Sequence, residues 1–319
     1  MLEVNDLRVE FVMPKGILSI VNSLSMSMEK NSFLGLVGES GSGKTVFAYS
    51  LMGFVKPPGR IANGSILYEG RDILKLSEKE LISNYRGKEV GLIASNARAH
   101  LNPIMTVGKQ LSLVYSAHKG TNRKTSDQRA LEMLETVKIN DPERRFKSYP
   151  HELSGGMAQR IMIAMALISD PTLIIADDCT NGLDVTVAAQ IMELFLNVIE
   201  ERQASSIFIT HDLGIVAQCC TQVSIIYCGQ IIETANTMDF FQNCQHPYSR
   251  KLLDSLPNRK NKSGLDKMPN VTIDYYKLPQ GCLYYNRCPV RKPECELHEP
   301  EMIEVGKNHH VKCHNPLDA

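Results

Sequence analysis

Gly38-Glu39-Ser40-Gly41-Ser42-Gly43-Lys44-Thr45 decides the reading of this chain. The octet has the form G-x-x-x-x-G-K-[ST]. It follows the apolar run Phe33 to Val37 and precedes a helical pattern from Val46 to Met52, so strand, loop and helix stand in the order that a phosphate cradle needs. Glycines let successive backbone N–H groups turn toward one centre, and the new helix offers its positive end. Lys44 reaches the β- and γ-phosphates, and the Thr45 hydroxyl can ligate Mg²⁺.

Outward from the octet, residues 1 to 36 alternate apolar and polar positions (Leu2, Val4, Leu7, Val9, Phe11; then Leu24, Met26, Met28), which predicts antiparallel strands forming a β-lobe beside the nucleotide. From about Asn96 to Arg160 the pattern turns helical. Three later runs, Leu173 to Ala176, Ser206 to Thr210 and Val223 to Tyr227, are short, apolar and β-branched, and a helical stretch from Val185 to Arg202 separates the first two. Such runs suit a buried parallel sheet with helical crossovers, so the fold class is α/β with a mixed sheet core. At 319 residues, 43% of them hydrophobic, the chain can build one large domain and a smaller appendage. Lys+Arg and Asp+Glu are both 35, so no global field would hold nucleic acid or an acidic membrane surface. No run of 18 apolar residues occurs, and the start Met1 to Asp6 lacks the basic and apolar regions of a signal peptide, so the expected compartment is the cytoplasm.

Leu153-Ser154-Gly155-Gly156-Met157-Ala158-Gln159-Arg160 stands a short distance before Leu173 to Asp178. It resembles the signature motif of ATP-binding-cassette (ABC) ATPases, a P-loop NTPase family. Ser-Gly-Gly at a helix start is again an anion site, and in the family it faces the nucleotide held by a partner subunit. The resemblance covers residues 1 to about 240 and implies a cassette over 1–256 with a helical subdomain at about 96–165. It also implies Asp177 as a Mg²⁺ ligand, Asp184 in the D-loop Asn181-Gly182-Leu183-Asp184, and His211 as the switch histidine that contacts the γ-phosphate. Adenine would stack near the β-lobe, with Phe11 or Ile17 as candidates.

Two positions depart from the family's pattern. Where the family has a glutamate to orient the attacking water, this chain has Asp178, one methylene shorter. A positioned base contributes roughly 10²- to 10⁴-fold, so the retraction matters. Where the family's Q-loop glutamine coordinates Mg²⁺, Ser95 stands in the segment Gly91 to Pro103, too short for the same contact. Both serve the nucleotide on this chain's own P-loop. The expectation is an asymmetric heterodimer in which this subunit binds ATP with weak hydrolysis and Ser154, Gly155, Gly156 and Met157 complete a competent site on a second ABC ATPase subunit.

His246-Pro247-Tyr248-Ser249, followed by Leu252, Leu253 and Pro257, is similar to the segment after the cassette in oligopeptide, dipeptide and nickel importer ATPases, and Leu101-Asn102-Pro103 occurs in the same group. Past it, Asn258 to Gly264 reads as a linker that opens a C-terminal module, 257–319, rich in cysteine. Cys282, Cys288, Cys295 and Cys313 stand there at x₅, x₆ and x₁₇ spacings. Some dipeptide-importer ATPases have a similar tail whose thiolates hold a [4Fe–4S] cluster; structural Zn²⁺, disulfides and free thiols are the alternatives. In a tail with little apolar content the metal would serve as the core. Cys179, Cys219, Cys220, Cys228 and Cys244 read as small buried hydrophobes.

The resemblance implies an ATPase subunit peripheral to the cytoplasmic face of the inner membrane. Its partners would be two transmembrane permeases, contacted around Ser95 to Pro103, and an extracytoplasmic solute-binding protein reached through them. A non-hydrolysing regulatory cassette and a soluble ABC ATPase outside transport are the rival readings. Against the second stand the balanced charge and the absence of a second cassette.

Overall fold

The computed structural model describes residues 1–256 and 273–317. The expected linker, Asn258 to Gly264, lies outside the described residues. The chain divides into two compact units, Met1–Leu74 with Phe208–Ala319, and Lys75–Ile207.

The first unit opens with β1 (Leu2–Met13) and β2 (Gly16–Met28), antiparallel, followed by β3 (Phe33–Val37) and α1 (Lys44–Leu51). β4 (Gly59–Tyr68) pairs with the other edge of β1, and β5 (Arg71–Asp72) pairs with β4. β1 and β2 are the predicted strands of the β-lobe, and β4 and β5, which the sequence reading did not predict, complete a four-stranded sheet ordered β2-β1-β4-β5. Leu2, Val4, Leu7 and Val9 are buried while Glu3, Asn5, Asp6 and Arg8 are exposed, the period-2 pattern of a sheet with one wet face, interrupted by an irregularity between Val4 and Leu7.

The second unit begins its sheet with β6 (Val90–Ile93). Next come the helices α2 (Val107–Lys119), α3 (Arg123–Thr136) and α4 (Gly155–Leu167), with shorter turns of helix between them, as expected of the helical stretch. β7 (Leu173–Asp177) then pairs parallel with β6, and all five of its residues are buried. α5 (Val185–Glu201) follows, burying Ile191, Met192, Leu194, Phe195, Val198 and Ile199, a stripe at helical spacing. β8 (Ser205–Thr210) carries the chain from the second unit back to the first.

In the first unit again, α6 (Leu213–Cys219) leads to β9 (Gln222–Tyr227), which pairs parallel with β3, and to β10 (Gln230–Asn236), antiparallel to β9. α7 (Thr237–Asn243) and α8 (Pro247–Asp254) close the segment up to residue 256. The C-terminal residues add β11 (Met302–Gly306) and β12 (His309–Lys312). Sequence patterning did not predict this hairpin. β12 pairs antiparallel with β10, Glu233 against Val311, so the tail continues the sheet that holds β9 and β3. Tyr284 and Val311 are almost fully buried, Tyr284 against Tyr227 and Tyr248, so the tail packs apolar side chains onto the rest of this unit and does not depend on metal alone for a core. No helix among the described residues is long and apolar enough to cross a membrane.

Candidate functional site

The P-loop lies in the first unit between β3 and α1. Gly43 is the residue before the helix, at φ 101°, a left-handed conformation that glycine adopts without steric cost. Lys44 is buried, its ammonium donating to the carbonyls of Gly38 and Glu39, both at 2.8 Å. Ser40, Gly41 and Thr45 are exposed and Ser42 is buried. The Glu39 carboxylate takes two hydrogen bonds from Arg287, at 2.8 and 2.9 Å. Those bonds hold the Glu39 carboxyl below its ordinary pKa, against the opposing effect of burial. His211, in the same unit, follows β8 and is exposed, one residue before Asp212 caps α6. Near the β-lobe hairpin Ile17 is exposed and Phe11 half-buried.

The remaining predicted site residues lie in the second unit. Asp177 ends β7 and is buried; Asp178 follows at φ 49°. Aspartate tolerates the left-handed region better than most residues, and such backbone clusters at functional sites. Ser95 lies two residues past β6 and is half-buried. Ser154 is the N-cap of α4: its hydroxyl accepts from Met157 N at 3.2 Å. Both Ser154 and Gly155 are exposed, so the helix start is open to an anion. Gly156 is demanded by packing, because a Cβ there would stand 2.7 Å from Val187 Cγ1 on α5. Asp184 caps α5 by accepting from Val187 N at 3.0 Å. One groove of this unit is lined by Ser95, Arg98, Gly155, Gln159 and Asn181, bringing together the Q-loop segment, the signature helix and the D-loop. Arg98 donates to the carbonyl of Leu153, which ties the first two.

Cys282, Cys288, Cys295 and Cys313 line a single small cavity. Each sulfur receives a backbone N–H: Cys282 from Tyr284 and Tyr285, Cys288 from Val290, Cys295 from Lys292 at 3.5 Å and Cys313 from Asn315 at 3.4 Å. Donors of this kind favour anionic sulfur and tune sulfur-bound clusters. Burial works the other way and pushes the Cys282 thiol up to about 11 and the Cys313 thiol up to about 12. Among the described residues no group of three or more His, Cys, Asp or Glu is placed to hold a metal ion, which bears on the expected [4Fe–4S] cluster as much as on the zinc alternative. None of the nine cysteines, all among the described residues, is joined in a disulfide. Cys179, Cys220, Cys228 and Cys244 are buried as expected; Cys219 is only half-buried, at the exposed end of α6.

Sequence reasoning missed the residues that surround the P-loop from the C-terminal side: Tyr248, whose hydroxyl accepts from Glu39 N at 3.0 Å; Tyr275, whose hydroxyl donates to the Gly41 carbonyl at 2.6 Å; and Arg287. Their partners are more than 200 residues away, and no local pattern signals such a pairing.

Comparison with known proteins identifies the family. The ABC transporter family model matches residues 21–181, and that of the oligopeptide/dipeptide transporter C-terminal region matches residues 232–295. The chain is 41% identical to the dipeptide transport ATP-binding protein DppD of Haemophilus influenzae, over all of this chain and 96% of that one, and 40% identical to DppD of Escherichia coli, over all of this chain and 97% of that one. It is 43% identical to the oligopeptide transport ATP-binding protein OppD of Salmonella typhimurium, over 96% of this chain and 92% of that one. Among solved structures it is similar in fold to the dimeric bacterial ABC transporter cassette MJ0796, with a TM-score of 0.67 at 23% identity over 74% of this chain and 99% of that one. The chain belongs to the ABC transporter family and is an ABC-type ATPase of the branch that carries the oligopeptide/dipeptide C-terminal region.

Proposed function

We propose that this chain is the ATP-binding subunit of a heteromeric importer of peptides or related small solutes, and that its own hydrolysis site is weakened. The dipeptide and oligopeptide transport names of its relatives support the cargo class. Gly38 to Thr45 bind the phosphates of ATP. Thr45 and Asp177 would hold Mg²⁺, whose charge would neutralise the phosphate oxygens, and Ser95, at the place of the family's glutamine, would reach the ion less well. Asp178 and His211 would act on the attacking water and the γ-phosphate, while Ser154 to Met157 and Asp184 would serve the nucleotide on a second ABC ATPase subunit. ATP draws the two cassettes together, and hydrolysis at the partner's P-loop parts them and drives two membrane permeases. An extracytoplasmic solute-binding protein delivers cargo to those permeases. The chain sits peripherally on the cytoplasmic face of the inner membrane, and its balanced charge gives no footprint for nucleic acid.

The observation that carries the asymmetry is Asp178 itself, a carboxylate one methylene short directly after the buried Asp177. In the C-terminal region the four cysteines would be the ligands of a [4Fe–4S] cluster, a reading favoured by their shared cavity and the N–H donor at each sulfur. Such a cluster would cross-link four positions of the chain, because ATP hydrolysis transfers no electrons. ATP turnover by the purified chain tests the weakened site. Asp178→Glu is expected to raise the rate by about tenfold or more. Full turnover by the wild-type chain alone, with no gain in the variant, would sink the asymmetry.

A further inference from the structure

The outer side of the P-loop, away from where phosphates bind, is held by residues far along the chain. Arg287 donates from Nη1 to Glu39 Oε2 at 2.8 Å and from Nη2 to Glu39 Oε1 at 2.9 Å, a bidentate pair. The Tyr275 hydroxyl donates to the Gly41 carbonyl at 2.6 Å, and Gly229 N donates to the Ser42 carbonyl at 2.9 Å. In a trans peptide the C=O and the following N–H point in opposite directions. Holding the Ser42 carbonyl from outside therefore aims the Gly43 N–H inward, toward the cradle.

Glu39 is the hub. Its N–H donates to Tyr248, its carboxylate takes both bonds from Arg287, and its carbonyl accepts from Ser42 N at 3.2 Å and from Lys44 Nζ at 2.8 Å. The residue that Arg287 grips is thus one of the two whose carbonyls hold the phosphate-binding lysine. An exposed ion pair contributes about 0–1 kcal/mol and would position nothing. This one is buried on the arginine side, the Arg287 side chain being 7% exposed, while the Glu39 side chain is 39% exposed. Its guanidinium lies 5.6 Å from the ring centroid of Tyr227 and 5.8 Å from that of Tyr284. The two rings are themselves in edge contact at 5.1 Å, so the fork is fixed before it meets Glu39.

We propose that Arg287 and Tyr275 brace the P-loop from its outer side, and that Arg287 is a positioning residue for ATP, fixing Glu39 and, through it, the Lys44 ammonium. The proposal rests on residues 38–45 being the ATP phosphate site. It gives the C-terminal segment a task in nucleotide binding that is separate from anything its cysteines hold.

The test is equilibrium binding of MgATP to the full chain, with thermal midpoints recorded alongside. Arg287→Ala should weaken binding by about tenfold, the effect of losing charge-assisted hydrogen bonds. In a Glu39→Gln background the same change should add less than about twofold, because Arg287 acts through Glu39. Arg287→Lys, which keeps charge and stem but loses the fork, should bind between wild type and Arg287→Ala, and it replaces that variant in the cycle should Arg287→Ala not fold. Binding unchanged in a folded Arg287 variant, or losses that multiply in the double variant, would overturn the brace alone. Failure of the wild-type chain to bind MgATP would overturn the phosphate-site reading and the brace with it.

Discussion

Gly156 stands where α4 and α5 leave no room for a side chain, while its neighbour Gly155 would meet Leu183 only at an ordinary 3.5 Å. Gly156→Ala should therefore cost about 1–3 kcal/mol of stability through overpacking. Gly155→Ala should cost less than about 1 kcal/mol, and chemical denaturation of the two variants measures the contrast. Glu39 makes a second prediction. Its folded pKa lies below the ordinary 4.5, so the unfolded chain takes up the proton first. The Arg287 bond contributes in full above about pH 4.5, and its contribution is lost as pH falls through the folded value. The acid loss of stability below about pH 4.5 should be shallower in Glu39→Gln than in wild type, and equal slopes would contradict the pairing. At this scale the sequence was legible wherever chemistry is written in consecutive residues, as in Gly38 to Thr45 and Ser154 to Met157. It was silent on Arg287, one of 35 basic residues, whose partner is 248 positions away.

α8 shows how an element couples to a buried titrating group. His246 is its N-cap: Nδ1 accepts from Tyr248 N at 3.0 Å. Around it stand Glu233, which accepts from the backbone N–H groups of Gln245 and His246, His309, bonded to Glu233 at 2.8 Å, and the Tyr284 ring at 5.6 Å. Burial pushes the His246 imidazole down to about 4, with Glu233 pulling the other way. A histidine kept neutral in the fold stabilises it fully above the unfolded value of 6.5, and that contribution is lost as pH falls from there toward 4. Between pH 7 and pH 5 the loss should be about 2 kcal/mol. His246→Asn keeps an acceptor for Tyr248 N and takes up no proton, so it should lose measurably less over that interval in denaturation experiments; the same loss in both proteins would contradict the account. Most elements were readable beforehand because β7, β8 and β9 carry short apolar, β-branched stretches (Leu173 to Ala176, Ile207 to Ile209, Ile225 to Tyr227) and α5 carries its stripe at helical spacing. The β11–β12 hairpin was not, because β11 is exposed throughout and β12 has only four residues. Pairing with β10, some 77 residues away, makes β12 a strand, and no local window contains that partner.

Across the whole molecule, residues 273–317 belong to the same compact unit as the P-loop. Ending the chain after Leu256 would remove Arg287 from Glu39, His309 from Glu233 and Tyr284 from Tyr227 and Tyr248. The truncated chain should melt lower and bind MgATP more weakly than the full chain, and a truncation neutral in both measurements would contradict this placement. The central claim is that this subunit binds ATP at a weak site of its own and lends its signature to a stronger one. The most direct test is the ATPase rate of the assembled transporter, with the second ABC ATPase subunit and the permeases present, measured for Asp178→Asn and for Ser154→Ala in this chain. The account predicts that Asp178→Asn retains most of the wild-type rate while Ser154→Ala loses at least about tenfold. Collapse of the rate in Asp178→Asn, with little effect in Ser154→Ala, would contradict it.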